Sequence, residues 1–160
     1  MQGDYYPPVG FYFVVGFNSP NSNMDGKFQE VSGISTEMGT EALTEGGESR
    51  FQWQLPTVNK HTNLVLKRGV LISNSDLAKW VLETLSSGLD NPIKPRSIYV
   101  SLLGAGGKFL MQWVFLNARP VKWQFSNLDS MKNEILTESI EFAYNYYKVN
   151  YFNQQPDTGN

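Results

Sequence analysis

The sequence contains no cysteine and only one histidine, which removes most of the side chains used in catalysis and metal binding. Without cysteine there can be no disulfide framework, no thiolate metal site and no thiol nucleophile. A serine–histidine–acid arrangement would have to use His61, which follows Lys60 in a polar segment without a nucleophile motif. We therefore interpret His61 as an exposed loop residue and predict that the protein is not an enzyme.

The chain also has little net charge and no long apolar run. Its 13 Lys and Arg residues against 15 Asp and Glu residues give a net charge of -2 at pH 7, unlike a nucleic-acid-binding protein with a basic face. No apolar run approaches the about 18 residues of a membrane span, and the first ten residues lack the basic start and apolar core of a signal peptide. We expect a single domain over residues 1–160. It should be made in the cytoplasm without a signal peptide and should not insert into a membrane.

Phosphate-binding and metal-binding motifs are missing as well. The Gly-Lys pair at residues 107–108 has Leu102 where a phosphate-binding loop needs its first glycine, and no Ser or Thr follows the lysine. Glu138 and Glu141 fall on opposite faces of a predicted strand, so they cannot work together as acid and base. The acidic segment 39–49 lacks the ligand spacing of a calcium loop. The sequence therefore predicts no catalytic, cofactor or metal site.

One segment has the period and the end signals of an α-helix. Ser73, Asn74 and Ser75 can accept hydrogen bonds from the first turn, Asp76 adds negative charge at the positive end of the dipole, and Gly88 supplies a left-handed stop. The apolar stripe at helical spacing consists of Leu77, Ala78, Trp80, Val81 and Leu85. Because a helix of about three turns is not stable alone, we expect this stripe to pack against the rest of the fold and not to form a ligand site.

The rest of the chain has the alternating or continuously apolar pattern of β-strands. The predicted strands are residues 11–17, 28–31, 34–38, 50–55, 63–68, 96–103, 108–117, 119–125 and 135–149. The last is long enough that it must bend between two sheets or reach beyond its own subunit. The predicted fold is mainly β, an antiparallel β-barrel or sandwich with one flanking α-helix. An extended arm (1–10), a long mobile acidic loop (39–49) and a frayed tail (153–160) complete the single domain.

The strand 50–55 has one apolar face, formed by Phe51, Trp53 and Leu55. We predict that this face packs beneath the helix. The predicted core-packing set is therefore Trp53, Leu77, Trp80, Val81 and Leu85.

Several blocks of the sequence, in this order, resemble one protein family. They are PPVGFYFVVGF near the start, FQEVSG followed by ISTEM, EGGESRFQWQLP, and NLVLKRGVL followed by a Trp-bearing helix. From about residue 6 to 149 the chain resembles the tail tube proteins of contractile injection systems and contractile-tailed phages. The resemblance implies a β-barrel with one flanking helix that forms hexameric rings, stacked into a hollow inner tube inside a contractile sheath. The same fold is shared with the secreted tube protein of the type VI secretion apparatus.

The resemblance also implies partners but no cofactor. The partners are further copies of the chain, a sheath protein, baseplate or spike hub proteins, tube cap proteins, and cargo or DNA in the lumen. The particle can be a phage tail, an extracellular injection device or a membrane-anchored one.

Within such a tube, the acidic segment 39–49 is our candidate for the joint between stacked rings. Its glutamates would face a rim of basic residues on the next ring. The acidic set is Glu41, Glu45 and Glu48, and the basic set is Lys60, Lys67 and Arg68, with His61 beside them.

Two other interpretations stay open at this point. One is a monomeric β-barrel that binds a small apolar molecule among Trp53, Trp113 and Phe142. The other, with less support because no phosphate site is present, is a flavin-dependent β-barrel enzyme.

Overall fold

The structure, a computed structural model, describes residues 11–18, 27–47, 50–70 and 75–152. The strands are β1 Tyr12–Phe17, β2 Lys27–Phe28, β3 Glu30–Ser32, β4 Thr36–Leu43, β5 Trp53–His61, β6 Leu64–Gly69, β7 Arg96–Leu103, β8 Phe109–Phe125, β9 Thr137–Ala143 and β10 Tyr146–Tyr151. The helix α1 is Asp76–Ser86, and a 3₁₀ turn spans Ala105–Gly107. The predicted arm 1–10 and tail 153–160, as well as Glu48, Ser73 and Asn74, lie outside the described residues.

Eight of the described strands form one antiparallel sheet that curves back on itself. Its order is β2-β1-β7-β8-β9-β6-β3, with β10 paired to β8. Only Gln29 separates β2 from β3, and its N–H donates to the carbonyl oxygen of Lys67 on β6 (2.9 Å). The two ends of the sheet therefore meet, and the predicted class, an antiparallel β-barrel with one helix, is confirmed.

The strand β8 connects the two halves of the barrel. We predicted two strands here, 108–117 and 119–125, but the chain runs as one strand of 17 residues. β10 pairs with its first half and β9 with its second half, so the predicted strand 135–149 follows β8 in two pieces. The break falls at residues 144–145, where the Asn145 N–H donates to the Leu116 carbonyl (3.0 Å). The predicted strand is therefore broken in two, and both pieces belong to the same eight-stranded sheet.

The helix begins and ends where its end signals predict. Ser75 is the N-cap, and its hydroxyl accepts from the Ala78 N–H (3.0 Å); Gly88 has a left-handed φ of 60°. Leu77, Trp80 and Val81 are buried. Leu85, the last position of the predicted stripe, is 41% exposed and does not pack into the core.

Side chains of the barrel and the helix fill one core. Phe115, Phe142 and Ile140 are fully buried at its centre. Trp80 lies parallel to Phe142 (centroids 5.7 Å apart) and so joins the helix to β9. Leu77, Trp80 and Val81 of the helix belong to the same buried cluster as these barrel side chains. The helix and the sheet therefore share one core.

The predicted packing of Phe51, Trp53 and Leu55 beneath the helix is wrong. β5 pairs only with β4 among the described strands, in a separate two-stranded hairpin, and Trp53 is 52% exposed. The predicted loop 39–49 is also wrong in its first part, because residues 39–43 belong to β4. Alternation reports that a strand has one apolar face, but it does not report whether the same subunit covers that face.

Candidate assembly surfaces

The lone histidine lies at the base of the β4–β5 hairpin. Its Nδ1 is 3.3 Å from the hydroxyl of Thr36, and its ring contacts those of Tyr144 (5.5 Å) and Tyr147 (5.9 Å). His61 is partly buried, so the prediction of an exposed loop histidine is corrected. Among the described residues, no group of His, Asp and Glu side chains is arranged to hold a metal ion, and no helix has the length and apolarity that a membrane-spanning helix requires.

Tyr144 sits beside His61 with its hydroxyl in an apolar setting. Its ring packs edge-on against Phe115 (4.9 Å). Burial raises the pKa of Tyr144, and the nearby Tyr147 raises it further. Within the described part of the chain, the buried Tyr144 hydroxyl has no hydrogen-bond partner.

Arg68 is not part of an exposed rim, and this prediction is wrong. The side chain is buried, and its Nε donates to Glu138 Oε1 (2.6 Å). Glu138 Oε2 accepts from Trp123 Nε1 (2.9 Å), and Arg68 Nη2 donates to the N-cap hydroxyl of Ser75 (3.2 Å). Arg68 and Glu138 are direct neighbours in the β6–β9 register, so strand pairing brings the two charges together inside the fold. Sequence patterns treat a basic residue at a strand end as exposed and contain no signal for such a partner 70 residues away.

The predicted joint between rings needs basic residues that lie away from the glutamates of the same subunit, and only some of the predicted residues do. Lys60 lies on the hairpin itself, directly across from Glu37. Lys67 lies on β6, half exposed, with its Nζ 4.0 Å from Glu30 Oε2. Glu41 and Glu45 are exposed on the hairpin. The structure therefore separates Lys67 from these glutamates but places Lys60 and His61 on the same arm as them.

The hairpin carries an uncovered apolar face. Leu43 and Trp53 are opposite each other in the register, and Leu55 lies two residues further along β5. The ring of Phe51 packs edge-on against Trp53 (5.4 Å). These four side chains are between 45% and 52% exposed, and adjacent apolar side chains with this exposure are typical of an interaction surface.

A second uncovered apolar region follows the predicted strand 119–125, and the sequence patterns did not reveal it. The segment 127–136 joins β8 to β9, and we call it the β8–β9 loop. Leu128, Met131 and Ile135 in this loop are 82%, 92% and 76% exposed. The available signal was their recurrence within ten residues that are otherwise polar except for Leu136.

Two strand edges are also unpaired within the described part of the chain. β10 pairs with β8 on one side and with no other described strand. The second half of β8 pairs with β9 on one side only, because β7 ends its pairing at Ala118. Unpaired edges are templates for strands of another chain.

The aromatic residues proposed to hold a small ligand do not line one cavity. Trp53 lies on the hairpin, whereas Phe142 is fully buried in the core against Trp80. Trp113 packs on the outside of that core. The barrel interior is filled by side chains, so the geometry gives no support to a ligand-binding barrel.

A comparison with protein-family models matches most of the chain to one family. The family model described as "T4-like virus tail tube protein gp19" matches residues 9–148. No curated protein sequence matches the chain.

Solved structures match over nearly the whole length. A chain of the anti-feeding prophage baseplate is 26% identical, with 91% of this chain and 97% of that chain covered and a TM-score of 0.74. A chain of the PVC extracellular contractile injection system, in the sheath-tube complex in the extended state, is 24% identical over 93% and 95%, with a TM-score of 0.75. A type six secretion system protein is 12% identical over 89% and 84%, with a TM-score of 0.59, and it is similar in fold alone.

Proposed function

We propose that this chain, which belongs to the T4-like virus tail tube protein gp19 family and is a structural tube subunit and not an enzyme, forms hexameric rings that stack into a hollow inner tube. The observation that carries the proposal is the family match over residues 9–148. The exposed hairpin and the unpaired edges support it, because a ring of identical subunits needs two different surfaces that meet, and stacking needs two more.

Within a ring, we assign the contact to β10 and the second half of β8. Both have an open edge in the described part of the chain, and main-chain hydrogen bonds across such edges join subunits without any special side chain. Of the predicted strand 135–149, only the second piece, β10, would then lie beside a neighbouring subunit, because β9 is paired with both β6 and β8.

Between rings, we assign the contact to the acidic hairpin. Glu41 and Glu45 are exposed, and Glu48 follows in the sequence outside the described residues. Each exposed ion pair contributes about 0–1 kcal/mol, so these charges would set the polarity of stacking more than its strength. Lys60 and Lys67 are the exposed lysines of the predicted basic set, and of these only Lys67 lies off the hairpin, since Arg68 is buried.

The proposed partners follow from where similar chains are found. They occur in the anti-feeding prophage baseplate and its tube-terminating cap, and in a sheath-tube complex of an extracellular contractile injection system. We propose that this subunit is made in the cytoplasm as one domain, contacts sheath, baseplate or spike hub, and cap proteins, and encloses cargo or DNA. The particle is a phage tail or a contractile injection device.

The test is the size and shape of the purified protein. Mass photometry should give a species of six times the monomer mass, and negative-stain electron microscopy of concentrated protein should show rings and stacked rings with a central hole. A protein that stays monomeric at every concentration, and that is also absent from particles when coexpressed with sheath and baseplate proteins, would overturn the proposal.

A further inference from the structure

The β8–β9 loop displays its apolar side chains on an organised backbone. The Met131 N–H donates to the Asp129 carboxylate (3.0 Å), which forms a tight turn. The Ser126 N–H donates to the Thr137 carbonyl (2.8 Å) and closes the loop at its stem. The Val70 N–H donates to the Leu136 carbonyl (2.9 Å) and fixes the stem to the end of β6. The exposure of Leu128, Met131 and Ile135 is therefore a property of a structured loop.

The hairpin and the β8–β9 loop lie at opposite ends of the same strands. β6 begins at Leu64, shortly after the hairpin ends at His61, and pairs there with Phe142 of β9. At its other end Gly69 pairs with Thr137, where the β8–β9 loop ends. Five residue steps of about 3.3 Å separate the two ends by roughly 17 Å. One subunit thus has an apolar arm at one end of its barrel and an apolar loop at the other.

Two uncovered apolar surfaces at opposite ends fit a head-to-tail contact between copies. A contact of the hairpin with a second hairpin would bring Glu41 and Glu45 of one copy against the same residues of the other, and like charges disfavour it. In a contact between the arm of one copy and the loop of the next, the charged residues that face the glutamates are Asp129, Lys132 and Glu134, and Lys132 provides the opposite charge that glutamates facing each other lack. This arm-to-loop contact covers both apolar surfaces at once and can repeat without limit, as a heterologous interface does.

We propose that the hairpin face formed by Leu43, Phe51, Trp53 and Leu55 packs on Leu128, Met131 and Ile135 of another copy. This contact rests on the proposed tube function, because it supplies the apolar part of the joint between stacked rings. Glu41 lies directly across from Leu55 and therefore on the same face of the hairpin, where its charge selects the orientation. The β8–β9 loop is the acceptor surface of the joint, and the apolar face supplies most of its strength.

Cysteine crosslinking tests the contact directly, because the natural chain contains no cysteine. Leu55→Cys is mixed with an affinity-tagged Met131→Cys chain, assembled and oxidised. The matched control replaces Leu55→Cys by Gln54→Cys, which lies next to it on the opposite face of β5. We expect a disulfide-linked dimer containing one chain of each kind in the first mixture, and its loss in the control.

A second variant tests the acceptor loop without crosslinking. Leu128→Asp together with Met131→Asp changes two side chains that are 82% and 92% exposed, so the circular dichroism spectrum and single rings should be retained while stacking is lost. Stacked rings in which the Leu55→Cys and Met131→Cys chains form no crosslink, or normal stacking of the double aspartate variant, would overturn the contact and leave the tube function standing. Natural protein that forms neither rings nor particles would overturn both.

Discussion

Trp80 joins the helix, the barrel and the following loop through a single side chain. Its ring is 5.7 Å from that of Phe142 and 5.9 Å from that of Phe17, and its Nε1 donates to the carbonyl of Lys94 (3.1 Å). Trp80→Ala should lower the free energy of unfolding by about 3–5 kcal/mol, because it leaves a cavity in a packed core. Urea unfolding followed by circular dichroism measures this.

The matched control is Trp53→Ala, which removes the same side chain from a surface. Trp53 is 52% exposed on the hairpin, so its loss should change the unfolding free energy of the single subunit far less, by about 0.5 kcal/mol. Equal losses for the two variants would mean that the hairpin packs on its own barrel.

The Arg68–Glu138 pair holds the meeting point of β6, β9 and α1. Arg68→Met or Glu138→Leu alone should cost about 3–5 kcal/mol, because each leaves a charge buried without its partner. The double variant should cost much less than the sum of the two, and a double-mutant cycle of unfolding free energies checks it. Additive losses would mean that the two charges are not coupled.

Tyr144 gives a stability difference that depends on pH. Because the pKa of Tyr144 is raised in the folded state by burial, the folded protein keeps this proton longer than the unfolded chain does. The natural protein should therefore lose stability as the pH rises above about 10. Tyr144→Phe should retain that part of its stability, and should be no less stable at neutral pH since the hydroxyl lacks a partner among the described residues. Parallel melting curves of the two proteins from neutral pH to about pH 11 measure the difference.

At the scale of elements, local sequence signals predict the position of α1 correctly but do not predict where the hairpin packs. The N-cap hydroxyl of Ser75 and the left-handed Gly88 are local signals, and they placed the helix correctly. Alternation is also local, so it predicts Trp53 in the core, whereas the lack of a covering strand among the described residues depends on the whole sheet. Local patterns likewise predict Arg68 at the surface, since its partner Glu138 is brought to it only by strand pairing.

The charges of the hairpin provide a prediction for the element as a whole. Glu41→Lys together with Glu45→Lys should leave the melting temperature nearly unchanged, because both side chains are exposed. The double variant should form rings that do not elongate into tubes. Electron microscopy decides it, with Glu83→Lys together with Asp90→Lys as a control of equal charge change at exposed positions on and after α1. Long tubes formed by the hairpin variant would show that the glutamates do not contribute to the joint between rings.

At the scale of the whole molecule, the strand edges left unpaired among the described residues indicate how subunits can assemble. Closure at Gln29 removes one pair of edges, whereas β10 keeps an open edge, in the described part of the chain, along the second piece of the predicted strand 135–149. In a monomer an open edge of this length can pair with other chains and cause aggregation, whereas in a ring it can form the contact between subunits. The resemblance in sequence indicated rings, but only the pairing pattern indicates which main-chain groups can join them.

Proline substitution can test this edge without disturbing the barrel. The Phe152 N–H donates to the Leu110 carbonyl (3.2 Å), so the N–H groups of residues 148 and 150 also point toward β8 and that of Val149 points away from it. Val149→Pro therefore removes an outward donor only, and proline is tolerated at such edge positions. Lys148→Pro, the control, removes a hydrogen bond to β8 and should lower the melting temperature.

We expect Val149→Pro to fold with a melting temperature close to that of the natural protein and to remain monomeric in mass photometry. The reason is that a single missing donor and the proline ring both prevent a neighbouring strand from pairing along β10. If Val149→Pro gave hexamers at the natural concentration, subunits would have to meet through side chains instead of strand edges. The second half of β8, whose outer edge is also open beyond Ala118 among the described strands, would then lose its assigned partner as well, since the two edges complement each other only between adjacent copies.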